Sequence, residues 1–188
     1  MLFRSWATDV AGVTRAWCSP NGFGAGTVVV YFMMDEAETA HAGFPQGANG
    51  VSQYDQGPGG VPRDVVATGD QLTVANSIIT AQPVTALVYA CSPIQNQIGF
   101  NFSGVSSPTT RASIVGELGD LMLREGVPAG TVDLSDVNSA IGSVSGSSGY
   151  LIESITSTVG GVTITYPANT NITNGTGQLP VVGTVNWS

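Results

Sequence analysis

The chain has 188 residues, enough to bury one large core or two modest ones, and its 42% apolar content excludes wholesale disorder. It carries 13 acidic residues against five arginines and no lysine, a net charge of −8. The arginines are scattered (Arg4, Arg15, Arg63, Arg111, Arg124), which argues against nucleic-acid binding, because phosphate contacts need clustered cations. No run reaches the roughly 18 apolar residues of a membrane span, and the N-terminus has no apolar signal core.

The first half reads as β-β-(long loop)-α-β. A strand is expected over Val10–Cys18, followed by a turn at Pro20-Asn21-Gly22. Proline fixes its own φ there, and Asn-Gly tolerates positive φ. A second strand, Gly26–Met34, is apolar on both faces, as a strand covered on both sides must be. Residues 35–63 are rich in glycine and proline and have no periodicity. They are expected to be less ordered than the rest, or ordered only against another subunit, with Phe44, Val51 and Tyr54 as the few apolar anchors. Thr68 with Gln71 three residues later forms a capping-box pattern for a helix whose stripe is Leu72, Ala75 and Ile79, with Ile78 beside it. Pro83 ends the helix and Val84–Cys91 returns as a strand.

The second half reads as β-α-α-β-β-β. Ile98, Phe100 and Phe102 alternate with polar residues in a strand over Asn96–Ser103. Ser107-Pro108 is an N-cap followed by proline at the first helical position. Ile114, Val115, Leu118, Leu121 and Met122 share one face of that helix, and Gly126 stops it. Ser135 is expected to cap a shorter helix carrying Val137, Ala140, Ile141 and Val144. Gly149–Thr156, Val162–Tyr166 and Pro180–Trp187 complete the strands. The fold class expected is α+β: two small domains, residues 1–93 and 94–188, each a mixed sheet with helices packed on one face and joined near Pro93–Asn96.

Chemical motifs are sparse. Gly22-x-Gly24-x-Gly26 is followed by a strand, whereas a phosphate loop opens a helix. Asp35, Glu36, Glu38 and His41 are the densest group of possible metal ligands, but they stand at a loop mouth where solvated charge is expected. With a single histidine, a His-based metal site would need ligands from other subunits. There is no nucleophile elbow, and His41 is the only imidazole base. Asp133 and Asp136 suit a helix N-terminus. Cys18 and Cys91 match no zinc or redox spacing and are expected to be free, buried thiols. Asn171-Ile172-Thr173 and Asn174-Gly175-Thr176 match glycosylation sequons and read as turns. No catalytic, cofactor or metal site is expected. With only 10% charged residues, against roughly 25% in ordinary domains, the surface must be built from Ser, Thr, Asn, Gln and Gly. Such a surface repels its neighbours weakly. An acidic soluble host or secreted protein would share that composition.

The glycine turn and its flanks also carry a resemblance. Gly12-Val13-x-x-Ala16-Trp17 leading to Pro20-x-x-x-Gly24-x-Gly26-Thr27-Val28 is similar to the signature of the phage baseplate J family, the wedge proteins of contractile tails. Gln82-Pro83-Val84-Thr85-Ala86 with Val88 to Pro93 resembles a second stretch of the family. Gly130-Thr131-Val132, Leu134-Ser135 and Ala140-Ile141 resemble a third, and Leu179 to Val185 with Trp187 a fourth. Three positions depart from the pattern: Ala11 replaces a proline, Gln82 an arginine and Ala129 a glycine. Family members are considerably longer, with an N-terminal portion ahead of the strand on which Met1 almost directly stands. A truncated gene, a prophage remnant and a cloned fragment would all give such a chain.

The resemblance implies a structural part of the tail baseplate wedge. It would be assembled in the host cytoplasm and carried in the virion, with other wedge subunits and further copies of itself as partners; charge and hydropathy already argue against nucleic acid and membrane as partners. Two other classes stay open from the residues alone. One is a tail adhesin or carbohydrate-binding module using Tyr54, Tyr150 or Trp187. The other is a tail-associated hydrolase using converging carboxylates or an activated nucleophile.

Overall fold

The computed structural model describes residues 2–188. They form two compact units, one ending at Pro93 and the other spanning Ile94–Ser188. Both are α+β, each with a mixed sheet.

In the first unit, α1 (Leu2–Thr8) precedes β1 (Arg15–Pro20) and β2 (Thr27–Met33). Then come α2 (Gly69–Ile78) and β3 (Leu87–Cys91). The sheet order is β1-β2-β3, antiparallel then parallel. Central β2 is buried on both faces, which is why its sequence is apolar without alternation. Val30 and Phe32 pack with Ala7, Val74, Ala75 and Ile78 of the helices, while Val29 and Tyr31 join Cys91, Trp17 and Tyr89 on the opposite face.

Several expectations are corrected here. The first strand begins at Arg15, not Val10, because Val10 to Val13 form turns (Val13 N to Val10 O, 3.1 Å). Ahead of them lies the unexpected α1. Its Phe3 and Trp6 rings meet edge to face at 5.0 Å and pack onto the core. Seven residues are too few for periodicity to reveal a helix. On α2 the buried face keeps the expected Ala75 and Ile78 but adds Gln71 and Val74, while Leu72 and Ile79 are only half-buried. Thr68 is the N-cap residue but makes no capping-box bond. Its hydroxyl accepts from Ala48 N (2.8 Å) instead, and Asp70 accepts from Gln46 N (2.7 Å). The long loop therefore holds the helix start.

Residues 35–63 have more internal support than their composition suggests. Val51 is fully buried, Val51 N donates to Val65 O, and Gly50 exchanges backbone hydrogen bonds with Ala90 of β3.

The second unit contains β4 (Ile94–Ser103), α3 (Pro108–Glu125), β5 (Thr131–Val132) and α4 (Leu134–Ser143). It continues with β6 (Leu151–Val159), β7 (Val162–Pro167), β8 (Ile172–Thr173) and β9 (Gln178–Trp187). The main sheet runs β7-β6-β4-β9 with β4 and β9 parallel, and β5 and β8 form a small antiparallel pair. Ile98, Phe100, Phe102 and Ile155 face Ile114, Leu118, Leu121 and Met122 of α3 and Val137 and Ile141 of α4. The register of β4 against β9 shifts between Ile98 and Phe100. Gly99 lies at that shift, where a Cβ would collide with Thr156 Oγ1 and the Thr184 carbonyl.

Ser107 caps α3 as its sequence implies, accepting from Thr110 N at 3.4 Å. The cap of α4 is different. The helix starts after Asp133, and the first amide, Leu134 N, donates to Asn171 Oδ1 at 2.9 Å from across the unit.

Candidate functional site

In the first unit the loop and the turn before β3 are tied by a polar knot. Asp55 is only 3% exposed. Arg63 grips both its oxygens, with Nη2 at 2.9 Å from Oδ2 and Nε on Oδ1, and Gln82 Nε2 donates to Oδ2 at 3.0 Å. The same guanidinium donates to the Val84 carbonyl (3.2 Å) and the Ala86 carbonyl (2.5 Å). The Asp55 carboxylate, the Arg63 guanidinium and Gln82 Nε2 are all bonded within the knot. The groove above it, between exposed Tyr54 and Val84, therefore offers shape and apolar area but no spare charge. Gln82, which departs from the family's arginine, sits in this knot, where Arg63 already supplies the cation.

Asp35 is not a free loop carboxylate. Arg15 holds it bidentately, with Nε to Oδ2 at 2.9 Å and Nη2 to Oδ1 at 2.8 Å, and Thr14 donates to it as well. Burial pushes this carboxyl up, but the bonds from Arg15 and Thr14 outweigh it and hold it below its ordinary value. His41 Nδ1 pairs with Glu38 Oε2 at 2.9 Å. Among the described residues no three His, Cys, Asp or Glu side chains converge as a metal site would require. The glycine-rich segment is the β1–β2 turn, closed by Asn21 N to Thr27 O at 2.8 Å, with Asn21 at φ 55°.

Both cysteines are free, but Cys18 is exposed on edge strand β1, against the expectation that both are buried; Cys91 is buried with Val29 and Tyr31 on the sheet face opposite the helices. Each lies near the end of an edge strand, but the loop residues Asn49 and Gly50 bond to Ser92 N and Ala90 and cover the end of β3, so the echo between the two cysteine contexts carried no information about burial. Burial drives the Cys91 thiol up to about 12. Tyr89 is likewise raised to about 12, by burial and by its hydrogen bond to Asp64.

In the second unit the sequon asparagines do more than form turns. Asn174 is 4% exposed; its Oδ1 accepts from Asn96 Nδ2 (2.7 Å) and its Nδ2 donates to the Gly130 carbonyl (2.7 Å). Ser157 donates to Asn96 Oδ1 at 2.7 Å. Asn171 caps α4 and donates to Asp133 Oδ1 at 2.8 Å, so Asp133 is part of that cap. Two of the aromatics considered for carbohydrate stacking, Tyr150 and Trp187, are cover for the core. Trp187 stacks on Phe102 at 4.9 Å, and Tyr150 meets Phe102 edge-on with its hydroxyl 2.9 Å from Asn138 Oδ1. Tyr54 belongs to the first unit.

What the surface offers instead is uncharged strand. From Ser154 to Ser188 there is no charged side chain at all. On the uncovered face, Asn186, Asn101 and Ser154 form a cross-strand chain (2.8 and 2.6 Å), and the Thr158 and Thr163 hydroxyls lie 2.8 Å apart. Val162 and Ile164 on β7 are 68% and 53% exposed, beyond the reach of the helices. No helix among the described residues is long and apolar enough to cross a membrane.

Comparison with known proteins gives these surfaces a context. Residues 2–92 match the profile of the baseplate J-like central domain, and residues 100–188 that of the baseplate J-like protein C-terminal domain. Baseplate protein gp47 of Escherichia phage Mu is 26% identical over 97% of this chain and 43% of its own length. JayE of Escherichia coli strain K12 is 25% identical over 97% and 56%. The Mu-like prophage FluMu protein gp47 of Haemophilus influenzae is 27% identical over 75% and 36%. The chain thus spans between 36% and 56% of the length of these relatives. Two profiles in tandem, covering nearly every residue in the expected order, mean that the chain belongs to the baseplate J-like family.

Proposed function

We propose that the chain is a structural component of a contractile phage or prophage tail baseplate wedge, acting through protein–protein contacts rather than catalysis. Its place is then the virion tail, after assembly in the bacterial cytoplasm. Its partners are other wedge subunits and further copies of itself around the tail axis. The observation that carries this is the tandem family match over residues 2–92 and 100–188. The internal use of Asp35, Asp55, Asp133 and Arg63 supports it, since these groups are bonded within the fold rather than aimed at a ligand. So does a surface dominated by uncharged side chains, which can be packed against neighbours with little desolvation cost.

The experiment is disruption of the gene in its phage or prophage, with electron microscopy of the induced particles. The expected result is tails without assembled baseplates, restored by the gene supplied in trans. Normal baseplates in the disrupted strain would overturn the assignment.

A further inference from the structure

We propose that β7 is a self-pairing edge: two copies of the chain join antiparallel through Val162–Pro167 about a two-fold axis at Ile164, making one continuous sheet. The contact stands on the hairpin's own geometry and goes beyond the baseplate assignment, which would survive its failure.

The β6–β7 hairpin turns on two residues, Gly160 (φ 57°) and Gly161 (φ 82°), with Val159 opposite Val162. Two positive φ values in a two-residue loop make a primed turn, whose flanking residues form a hydrogen-bonded pair. Pairs alternate along an antiparallel ladder, so Ile164 also bonds towards β6, opposite Ser157. Thr163 and Thr165, opposite Thr158 and Thr156, direct their N–H and C=O groups outward from the sheet. The next outward position is Pro167, which has no N–H to offer. The free edge therefore presents two donor–acceptor residues, Thr163 and Thr165.

Antiparallel pairing centred on Ile164 places Thr163 of one copy opposite Thr165 of the other, and Thr165 opposite Thr163. All four outward residues are matched. The same register sets Ile164 against Ile164 and Val162 against Tyr166, all on the face that carries the core, at the edge where Val162 and Ile164 lie beyond the helices. It also continues the threonine row of β6 and β7 on the face that the helices leave uncovered.

Charge favours a second copy here and disfavours it elsewhere. A chain of net −8 repels itself, yet the whole stretch from Ser154 to Ser188 carries no charged side chain. β7 also lacks the lysine or inward charge that usually blocks an exposed edge. Six residues bury less than a standard interface, so the contact alone is weak and gains strength where neighbouring contacts hold copies together.

Sedimentation of the full chain up to several hundred micromolar, alongside two edge variants, tests this. Thr165→Pro removes one outward N–H per copy, and Ile164→Lys places like charges on the axis. Wild type is expected to show a reversible dimer. Each variant should raise the dissociation constant by about tenfold or more while keeping a cooperative melt. In a Cys18→Ser background, Ile164→Cys should form an intermolecular disulfide under mild oxidation, since paired positions across the axis lie within disulfide reach. A wild-type monomer throughout that range, a dimer indifferent to both edge variants, or no cross-link from Ile164→Cys would each overturn the proposal.

Discussion

Asn96 and Asn174, 78 positions apart, share a buried 2.7 Å hydrogen bond that fastens the loop after β8 to the start of β4. Asn174 passes the connection on to the Gly130 carbonyl, and Ser157 of β6 closes it on Asn96 Oδ1. Replacing Asn96 with alanine removes the acceptor of the Ser157 hydroxyl and the donor to Asn174 Oδ1. The expected cost is about 1–3 kcal/mol, read from urea unfolding followed by Trp187 fluorescence. An unchanged midpoint would mean that the network carries no net stability.

The knot around Asp55 is more demanding, because a buried carboxylate loses its cation when Arg63 is removed. Arg63→Met should destabilise the first unit by about 3–5 kcal/mol, whereas an Asp55→Asn, Arg63→Met double variant should recover part of that loss. Trp6 and Trp17 report on this unit. A single variant no worse than the double would show that unpaired charge is not the cause.

Ala129 occupies a position where the family has glycine, and the turn explains that preference. Gly130 N donates to Val127 O at 2.9 Å across Pro128 and Ala129, and Ala129 has φ 62°. Proline first and a positive-φ residue second is a type II turn, which strains a residue with a Cβ. Ala129→Gly should therefore stabilise the second unit by up to about 1 kcal/mol, although the extra freedom of glycine in the unfolded chain offsets some of the gain. A lower melting temperature in the variant would refute this.

Two pH limits follow from the shifted groups. Tyr89 and Cys91 are both raised to about 12, so the folded state binds these protons more tightly than the unfolded state. Their contribution is whole below the ordinary values near 9 to 10 and is lost as pH rises through about 12. Asp35 and Asp64 are lowered, so their contribution is whole above about pH 4 and is lost as pH falls through their folded values. Phenolate absorbance of Tyr89, isolated by comparison with Tyr89→Phe, should titrate late and together with unfolding. Titration near 10 would contradict the burial.

The two thiols should separate kinetically. Cys18 is exposed and should react with an aromatic disulfide reagent in the native state, while Cys91 should react only on unfolding. Equal rates in native buffer would count against the burial of Cys91.

By itself, the sequence determined the elements with long, regular patterns. The uninterrupted apolar run of β2, the alternation of Ile98, Phe100 and Phe102, and the Ser107-Pro108 start of α3 are local signals, set by faces and caps within a few residues. The fold class and the family were legible for the same reason, because the motifs that carry them are contiguous. Only the tertiary structure decided which polar residues matter. Asp55 reaches Arg63 and Gln82, Asn171 caps a helix that begins 37 positions earlier, and Asn174 meets Asn96, all through pairings with no sequence period. The same holds for exposure. Cys18 and Cys91 have nearly identical neighbours in sequence and both lie near the ends of edge strands, yet one is exposed and the other buried, because burial depends on what packs against a strand rather than on the strand itself.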